Sequence, residues 1–221
     1  MSNIKKTGFL ALLLMVSVLL SGCFWQETTV DKMYSTMENV VDAEKSFEDQ
    51  QEPLVELEKS EKEIYEKIIA LGSKEHEQIV ELSDEAQDIL AKRKKRMESE
   101  QKSLKASKKE FEKILPLIDE LDDTEQKKQA NELTKTMNER YEIHNQLYKL
   151  YIQGIKYDSE LYEMLKNKEI SMEQLDDQIT KSNETSKQVL ETNEKFNNKT
   201  KKYNKEKLAF YKKAGLNVKT K

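Results

Sequence analysis

A run of apolar residues spaced seven apart constrains the fold of this chain more than any other feature. The series consists of Leu90, Met97, Leu104, Phe111 and Ile118. An α-helix completes a turn in 3.6 residues, so a strict seven-residue repeat stays on one face only where helices supercoil around each other. The series therefore predicts a long helix that packs along neighbours of similar length.

The composition favours long helices over most of the chain. Charged residues make up 36% of the sequence, and only three glycines and two prolines follow residue 22. Chains rich in Glu and Lys and poor in Gly and Pro are typical of coiled coils. Apolar spacing and capping residues predict four helices: about 28–71 with a kink near Pro53, Ser73 to about Pro116, Asp122 or Asp123 to about Leu165, and Ser171 to Ala214.

The connections between these helices are short, which places consecutive helices antiparallel. The predicted fold is all-α, an elongated antiparallel up-down-up-down four-helix bundle with coiled-coil-like packing. At 1.5 Å per residue such a bundle is about 60 Å long. We assign residues 30–214 to the bundle and residues 215–221 to a basic C-terminal tail.

Residues 1–22 have the composition of an export signal. Lys5 and Lys6 precede an apolar stretch from Phe9 to Leu20. A positive segment followed by a short apolar segment and small residues is typical of a cleaved signal peptide. The apolar stretch is shorter than the roughly 20 residues that a transmembrane helix needs. Removal of residues 1–22 changes the net charge of the chain from -4 to -6, because Lys5 and Lys6 are lost.

The end of this segment, Leu20-Ser21-Gly22-Cys23, looks like a bacterial lipoprotein lipobox. The resemblance implies cleavage between Gly22 and Cys23, and a diacylglyceryl group with fatty acids such as palmitate on the sulfur of Cys23. Two acyl chains anchor a protein stably. We therefore predict a lipoprotein held on the extracytoplasmic face of the cell membrane, with residues 23–29 as the lipidated cysteine and its spacer.

Several strings resemble one bacterial family. Residues 47–58 read FEDQQEPLVELE, residues 71–72 read LG, and residues 82–86 read LSDEA. Together with the lipobox they resemble the YkyA-like family of cell-wall-binding lipoproteins of Gram-positive bacilli, over the whole chain. The resemblance implies a long four-helix bundle outside the membrane, a role at the cell wall and an association with hydrolases. It carries no catalytic motif.

The patterns typical of catalytic and metal sites are incomplete in this sequence. His76 and Glu77 begin like a zinc-protease helix, but Val80 stands where the second histidine is required. Adjacent acids such as Asp122-Asp123 and Asp176-Asp177 do not face each other across a cleft, as the carboxyl pair of a glycosidase must. With two histidines and one cysteine, we predict no metal, no cofactor and no catalytic residue.

Tyrosines are concentrated in the third helix. Tyr141, Tyr148 and Tyr162 share one heptad phase, which favours packing in the core. Tyr151 and Tyr157 lie off that phase. We therefore predict these two rings as candidates for stacking on wall glycans.

Basic residues form two clusters. Residues 92–96 read KRKKR, but a nucleic-acid partner is excluded for an exported chain. Residues 91–113, which include this run, have a net charge of +6 and residues 42–90 one of -11, so we predict charge pairing between these helices. Residues 195–221 carry ten lysines and one acid, and the topology returns them to the membrane beside Cys23. There they can bind anionic lipids or teichoic-type polymers. The polyanion-binding candidates are Lys199, Lys201, Lys202, Lys205, Lys207, Lys212 and Lys213.

These observations favour a non-enzymatic, lipid-anchored helical protein that binds or spaces components of the cell envelope. Its partners would be the membrane and peptidoglycan or teichoic-type polymers; the sequence identifies no protein partner. A cell-wall hydrolase is the alternative that rests on the family association. A third alternative is a helical ligand-binding lipoprotein, because half of the packing face of the fourth helix is polar, including Ser182, Ser186 and Asn193.

Overall fold

The computed structural model describes residues 28–71 and 75–216, together with two short strands. The helices are α1 (Thr29–Ala70), α2 (His76–Phe111), α3 (Ile114–Asp119), α4 (Thr124–Leu165) and α5 (Met172–Lys213). The strands are β1 (Val16–Ser17) and β2 (Lys219–Thr220), which pair antiparallel with Val16 opposite Thr220. The four long helices form the predicted antiparallel bundle, so the fold class is confirmed.

Side-chain caps fix the beginnings of three helices. Ser171, the predicted start of the last helix, forms a capping box with Gln174 at the start of α5. Asp123 caps α4 by accepting a hydrogen bond from the backbone N–H of Gln126 at 2.8 Å. Thr28 and Asp31 form a second capping box at α1. Because each box satisfies backbone donors that a helix leaves unpaired, these polar residues set where the chain becomes helical.

The two prolines have different effects. Pro53 lies inside α1, which continues through it to Ala70. Pro116 lies in α3, and the chain is not α-helical at Glu112 and Lys113. Proline lacks an N–H and its ring clashes with the carbonyl four residues earlier, which here belongs to Glu112. The second predicted helix therefore ends earlier than expected, at Phe111. Gly72 and Ser73 lie outside the described residues.

The core has two parts along the bundle. The basal part lies where α1 begins and α5 ends, and includes Met33, Phe111 and Phe210. The distal part lies toward the α1–α2 and α4–α5 turns, and includes Ile64 and Tyr162. Every member of the seven-residue series is buried, with exposed fractions of 4% or less. This confirms the predicted packing face of the second helix.

The helices are not packed equally tightly around the bundle. The backbones of α1 and α2, of α2 and α4, and of α4 and α5 run close together. The first and last helices approach each other mainly through side chains, such as the pair Tyr34 and Tyr211 with ring centroids 5.1 Å apart. The seam between α1 and α5 is therefore the open side of the bundle.

No helix in the described part of the chain is both long and apolar enough to cross a membrane. Gly22 and Cys23 lie outside the described residues, so cleavage and lipid attachment stay predictions. The assignment of residues 1–22, 23–29 and 215–221 to separate segments also stays a prediction.

Gly215 follows the end of α5 with a φ of 76°, a conformation that glycine adopts without steric cost.

Candidate binding groove and the polar groups of the core

A buried ion pair crosses the basal half of the bundle. The guanidinium of Arg140 on α4 donates two hydrogen bonds of 2.7 Å to the carboxylate of Glu44 on α1. Its Nε donates to Thr200 on α5 at 2.9 Å, and the hydroxyl of Ser107 on α2 donates to Glu44 at 2.6 Å. All four long helices thus meet at this cluster. Both charged side chains are almost fully buried, so each depends on the other for compensation.

A second buried cluster lies near the middle of the bundle. His144 contacts Gln101 through Nδ1 at 3.1 Å, and its Nε2 lies 3.7 Å from a carboxylate oxygen of Glu100. Burial, with the positive charge of Arg140, lowers the pKa of His144 to about 3. Burial raises the pKa of Glu100 to about 8, although a hydrogen bond from Gln51 opposes the shift. Both groups are therefore neutral at pH 7.

An open groove of about 430 Å³ occupies the distal half of the α1–α5 seam. One wall comes from α1, with Glu61 and Tyr65, and the other from α5, with Ser182 and Ser186. Tyr151 and further residues of α4, together with one residue of α2, form the remaining surface. A cavity of this volume is in the range of small-molecule sites. The polar face of α5 therefore borders a groove, as the third sequence-based alternative requires.

Arg93 of α2 organises the charges in this groove. Its guanidinium forms an ion pair with Glu61 and lies 3.9 Å from Asp158. Burial raises the pKa of Glu61, and the pKa of Asp158 is raised by the same cause. The hydroxyl of Ser182 donates a hydrogen bond to Asp158. The buried Glu61 and the half-buried Asp158 thus belong to a network centred on one cation.

The prediction that Tyr151 stacks on glycans at the surface is wrong. Tyr151 is 6% exposed, and the guanidinium of Arg93 lies 4.9 Å from its ring centre. Its hydroxyl donates to Glu58 at 2.6 Å and accepts from Arg93 at 2.9 Å. The heptad argument counted only one of the two positions that face a core, and Tyr151 occupies the other. Tyr157 is half-buried, and its role in glycan binding stays a prediction.

The lysines at the end of α5 differ in their surroundings. The prediction that Lys207 binds a polyanion is wrong, because Lys207 is 3% exposed and lies beside the ring of Tyr211. Lys199 forms an ion pair with Glu139 at 2.5 Å, and Lys202 forms one with Glu206 at 3.6 Å. The candidates that are exposed and form no ion pair among the described residues are Lys201, Lys205, Lys212 and Lys213.

The predicted charge pairing of residues 92–96 is correct for one residue only. Arg93 pairs with Glu61 of α1, as described above. Lys92, Lys94, Lys95 and Arg96 form no ion pair with any residue that the structure describes. The remaining positive charge on this stretch of α2 therefore needs another explanation.

The remaining residues that the sequence analysis considered lie at helix ends or at the surface of the bundle. Asp122, Asp176 and Asp177 are exposed, and Asp123 is the cap of α4. His76 is the first residue of α2. Within residues 28–71 and 75–216, no group of three or more His, Cys, Asp or Glu side chains could hold a metal ion.

Comparison with known proteins gives the family. The family model described as "Putative cell-wall binding lipoprotein", YkyA, matches residues 28–213. The chain belongs to this family. It is 32% identical over 217 residues to the uncharacterized lipoprotein YkyA of Bacillus subtilis strain 168, covering 98% of this chain and 95% of the relative. The family resemblance found in the sequence is therefore confirmed.

A solved structure supports the fold. The chain superposes on a conserved protein of unknown function from Staphylococcus aureus with a TM-score of 0.66, over 85% of this chain and 97% of the other. The two sequences are 18% identical, so this similarity concerns the fold alone.

Membership of a lipoprotein family indicates a membrane-anchored protein on the extracytoplasmic side.

Proposed function

We propose that this protein is a non-enzymatic lipoprotein, anchored through a diacylglyceryl group on Cys23, that binds a component of the cell wall. The observation that carries the proposal is the open groove between α1 and α5. The residues that line the groove include both apolar and hydroxyl side chains, and its acids Glu61 and Asp158 lie beside the guanidinium of Arg93. Such a surface suits binding of a polar polymer or its fragments.

The position of the groove fits this proposal. Cys23 precedes the start of α1 by six residues, and Glu61 lies 32 residues further along the helix. At 1.5 Å per residue, the groove is about 45–50 Å from the basal end. A bundle that stands on its lipid anchor would therefore hold the groove well beyond the lipid headgroups, in the space that the wall occupies.

Filling the groove is expected to weaken wall binding. Ser186 is exposed and lines the groove, so Ser186→Trp should place a large ring in the cavity without disturbing the core. We expect binding to purified peptidoglycan, measured by sedimentation, to fall about tenfold or more. Gln188→Trp is the matched control, because Gln188 is exposed on the same helix outside the groove. Equal binding by both variants would argue against the groove.

A cell-wall hydrolase remains the second candidate because of one observation. Glu61 and Asp158 both line the groove and both have a raised pKa, and pairs of such carboxyl groups occur in glycosidases. The same sedimentation experiment distinguishes the two functions. Binding without release of soluble muropeptides supports the non-enzymatic proposal. Release that is abolished by Glu61→Gln or Asp158→Asn supports the hydrolase.

The exposed lysines of α5 are expected to provide a salt-sensitive contact at the basal end. Each lysine near an anionic surface contributes about 1 kcal/mol, so replacing Lys201, Lys205, Lys212 and Lys213 by Gln should weaken binding to anionic vesicles about a hundredfold or more. Substitution is preferable to deletion, because deletion would remove the buried Phe210 and Tyr211. The protein for this test carries Cys23→Ser so that lipid insertion does not mask the contact.

The control for this prediction replaces four exposed lysines away from the basal end, namely Lys59, Lys67, Lys168 and Lys181. Exposed acids of α3 and the following turn lie at the same end as the α5 lysines, including Asp119 and Glu120. They reduce the net charge there, and within residues 28–71 and 75–216 they form no ion pair with these lysines. Equal loss in both quadruple variants would show a general charge effect instead of a basal contact.

Anchoring is expected to depend on Cys23. Replacing Cys23 by Ala removes the sulfur that would carry the diacylglyceryl group, so the chain should remain unprocessed and unlabelled by radioactive palmitate. Ser21→Ala is a conservative control that keeps a small residue before the cysteine. Labelling of the Cys23→Ala variant would contradict the lipoprotein assignment of this residue.

A further inference from the structure

A second cavity, of about 520 Å³, lies between α1 and α2 and is lined by residues of these two helices alone. Its charged residues are mostly basic: Lys92, Lys95 and Arg96 from α2, against the single acid Glu56 from α1. Lys92, Lys95 and Arg96 are exposed to solvent at this site. The cavity is therefore a concave surface with a local excess of positive charge.

The charges of these three cations are not compensated by carboxylates in the described part of the chain. Arg96 donates a hydrogen bond of 2.9 Å to the side-chain amide oxygen of Gln50, which is neutral. None of the three forms an ion pair with a carboxylate among residues 28–71 and 75–216, Glu56 included. Arg93, within the same run, has its charge compensated by Glu61. Charge pairing between α1 and α2 thus explains Arg93 and leaves its neighbours available.

Besides the charged residues, the lining contains two serines and a proline, together with Gln50 and Leu57 of α1. Ser60 and Ser99 line the cavity, and Pro53 lies at its α1 side. The hydroxyl of Ser60 donates to the backbone carbonyl of Glu56 at 2.9 Å, which leaves its oxygen free to accept. The two serines occupy less space than Leu57, the one large apolar side chain of the lining. The cavity therefore stays open beside the three basic side chains.

We propose that this cavity binds the phosphate groups of an anionic wall polymer. A guanidinium presents paired donors that match phosphate oxygens, and lysine ammonium groups add point charges around them. The Ser99 hydroxyl supplies a further donor at the same surface. A volume of about 520 Å³ accommodates one or two phosphodiester units with their linking atoms.

The distance of the cavity from the basal end of the bundle favours a wall polymer over the lipid surface as its ligand. Pro53 lies 24 residues beyond Thr29, which is about 36 Å along α1. The Debye length at physiological ionic strength is about 8 Å, so lipid headgroups at the basal end exert little attraction there. This step rests on the proposed function for the orientation of the bundle. The binding chemistry itself does not depend on that orientation.

The test uses the chain from residue 23 with Cys23→Ser, which retains every helix of the bundle, and synthetic poly(glycerol phosphate) as the probe. Lys95→Gln should weaken binding about fivefold and Lys92→Gln/Lys95→Gln about tenfold or more, with a shallower dependence on salt. Lys94→Gln is the matched control, because Lys94 is the exposed neighbour in the sequence that does not line the cavity. Circular dichroism verifies that each variant is folded.

Several outcomes decide the question. Loss of binding in the Lys95→Gln variant with retention in Lys94→Gln supports the site, as does weaker binding of polyglutamate than of the phosphate polymer. Equal loss in the two variants, or equal binding of polyglutamate, overturns it. Binding to anionic vesicles that depends on Lys95 would assign the site to lipid instead. Peptidoglycan binding that depends on Ser186 tests the proposed function separately, so failure of one does not imply failure of the other.

Discussion

Replacing Arg140 by Met is expected to lower the free energy of unfolding by about 3–5 kcal/mol. The substitution leaves the carboxylate of Glu44 buried without its two hydrogen bonds from the guanidinium. It also removes the donor to Thr200, so contacts from α4 to two other helices are lost together. Urea unfolding at pH 7, followed by circular dichroism, measures the change.

The double variant Glu44→Met/Arg140→Met separates charge from packing. Replacing both members of a buried pair by apolar residues is often nearly neutral, so the double variant should recover most of the loss. Lys128→Met is the control, because Lys128 is exposed on the same helix. If Arg140→Met costs less than about 1 kcal/mol, the pair is not the structural centre that the geometry indicates.

The stability of the protein is expected to fall as the pH rises from about 6.5 to 8. The pKa of Glu100 is raised to about 8 in the folded state from an ordinary value of 4.5, so the unfolded chain loses this proton first. Between these values the folded state binds more protons, and stability decreases with pH by up to about 1.4 kcal/mol per unit. Glu100→Gln should remove this decline.

His144 has the opposite effect over a lower range. Its pKa of about 3 in the folded state lies below the ordinary 6.5, so its contribution increases with pH between these values. The contributions of Glu100 and His144 to the pH dependence of stability therefore oppose each other between about pH 4.5 and pH 6.5. Melting temperatures from pH 5 to 8.5 for the wild type, Glu100→Gln and the exposed control Glu98→Gln measure the difference. A decline in Glu100→Gln equal to that of the wild type would refute the assignment.

The parts of the fold that depend on local sequence were predictable. The capping box at Ser171 and the cap at Asp123 follow from side chains three residues from their backbone donors. The seven-residue series predicted the packing face of α2. The break before α3 was placed too late, because the steric effect of Pro116 acts on the carbonyl four residues earlier.

The candidate groove was less accessible to sequence analysis. Charged residues at core positions, such as Glu44 and Arg140, look like solvent-exposed residues until a partner on another helix is known. The polar face of α5 was visible, but the sequence does not tell which pair of helices leaves its seam open. Tyr151 was misplaced because the heptad argument counted only one of the two core-facing positions. Lys207 was misplaced because the sequence does not show that its ammonium group packs beside the ring of Tyr211.

The uneven packing around the bundle also determines the order in which the chain can assemble. The closely packed neighbours α1 and α2, and likewise α4 and α5, are consecutive long helices joined by short turns, so each hairpin can form from contacts near in sequence. Topologies rich in such local contacts fold quickly. Glu44 and Arg140 are 96 residues apart, so their bond forms only when the two hairpins dock. We therefore expect substitutions at this pair to accelerate unfolding while changing the refolding rate little.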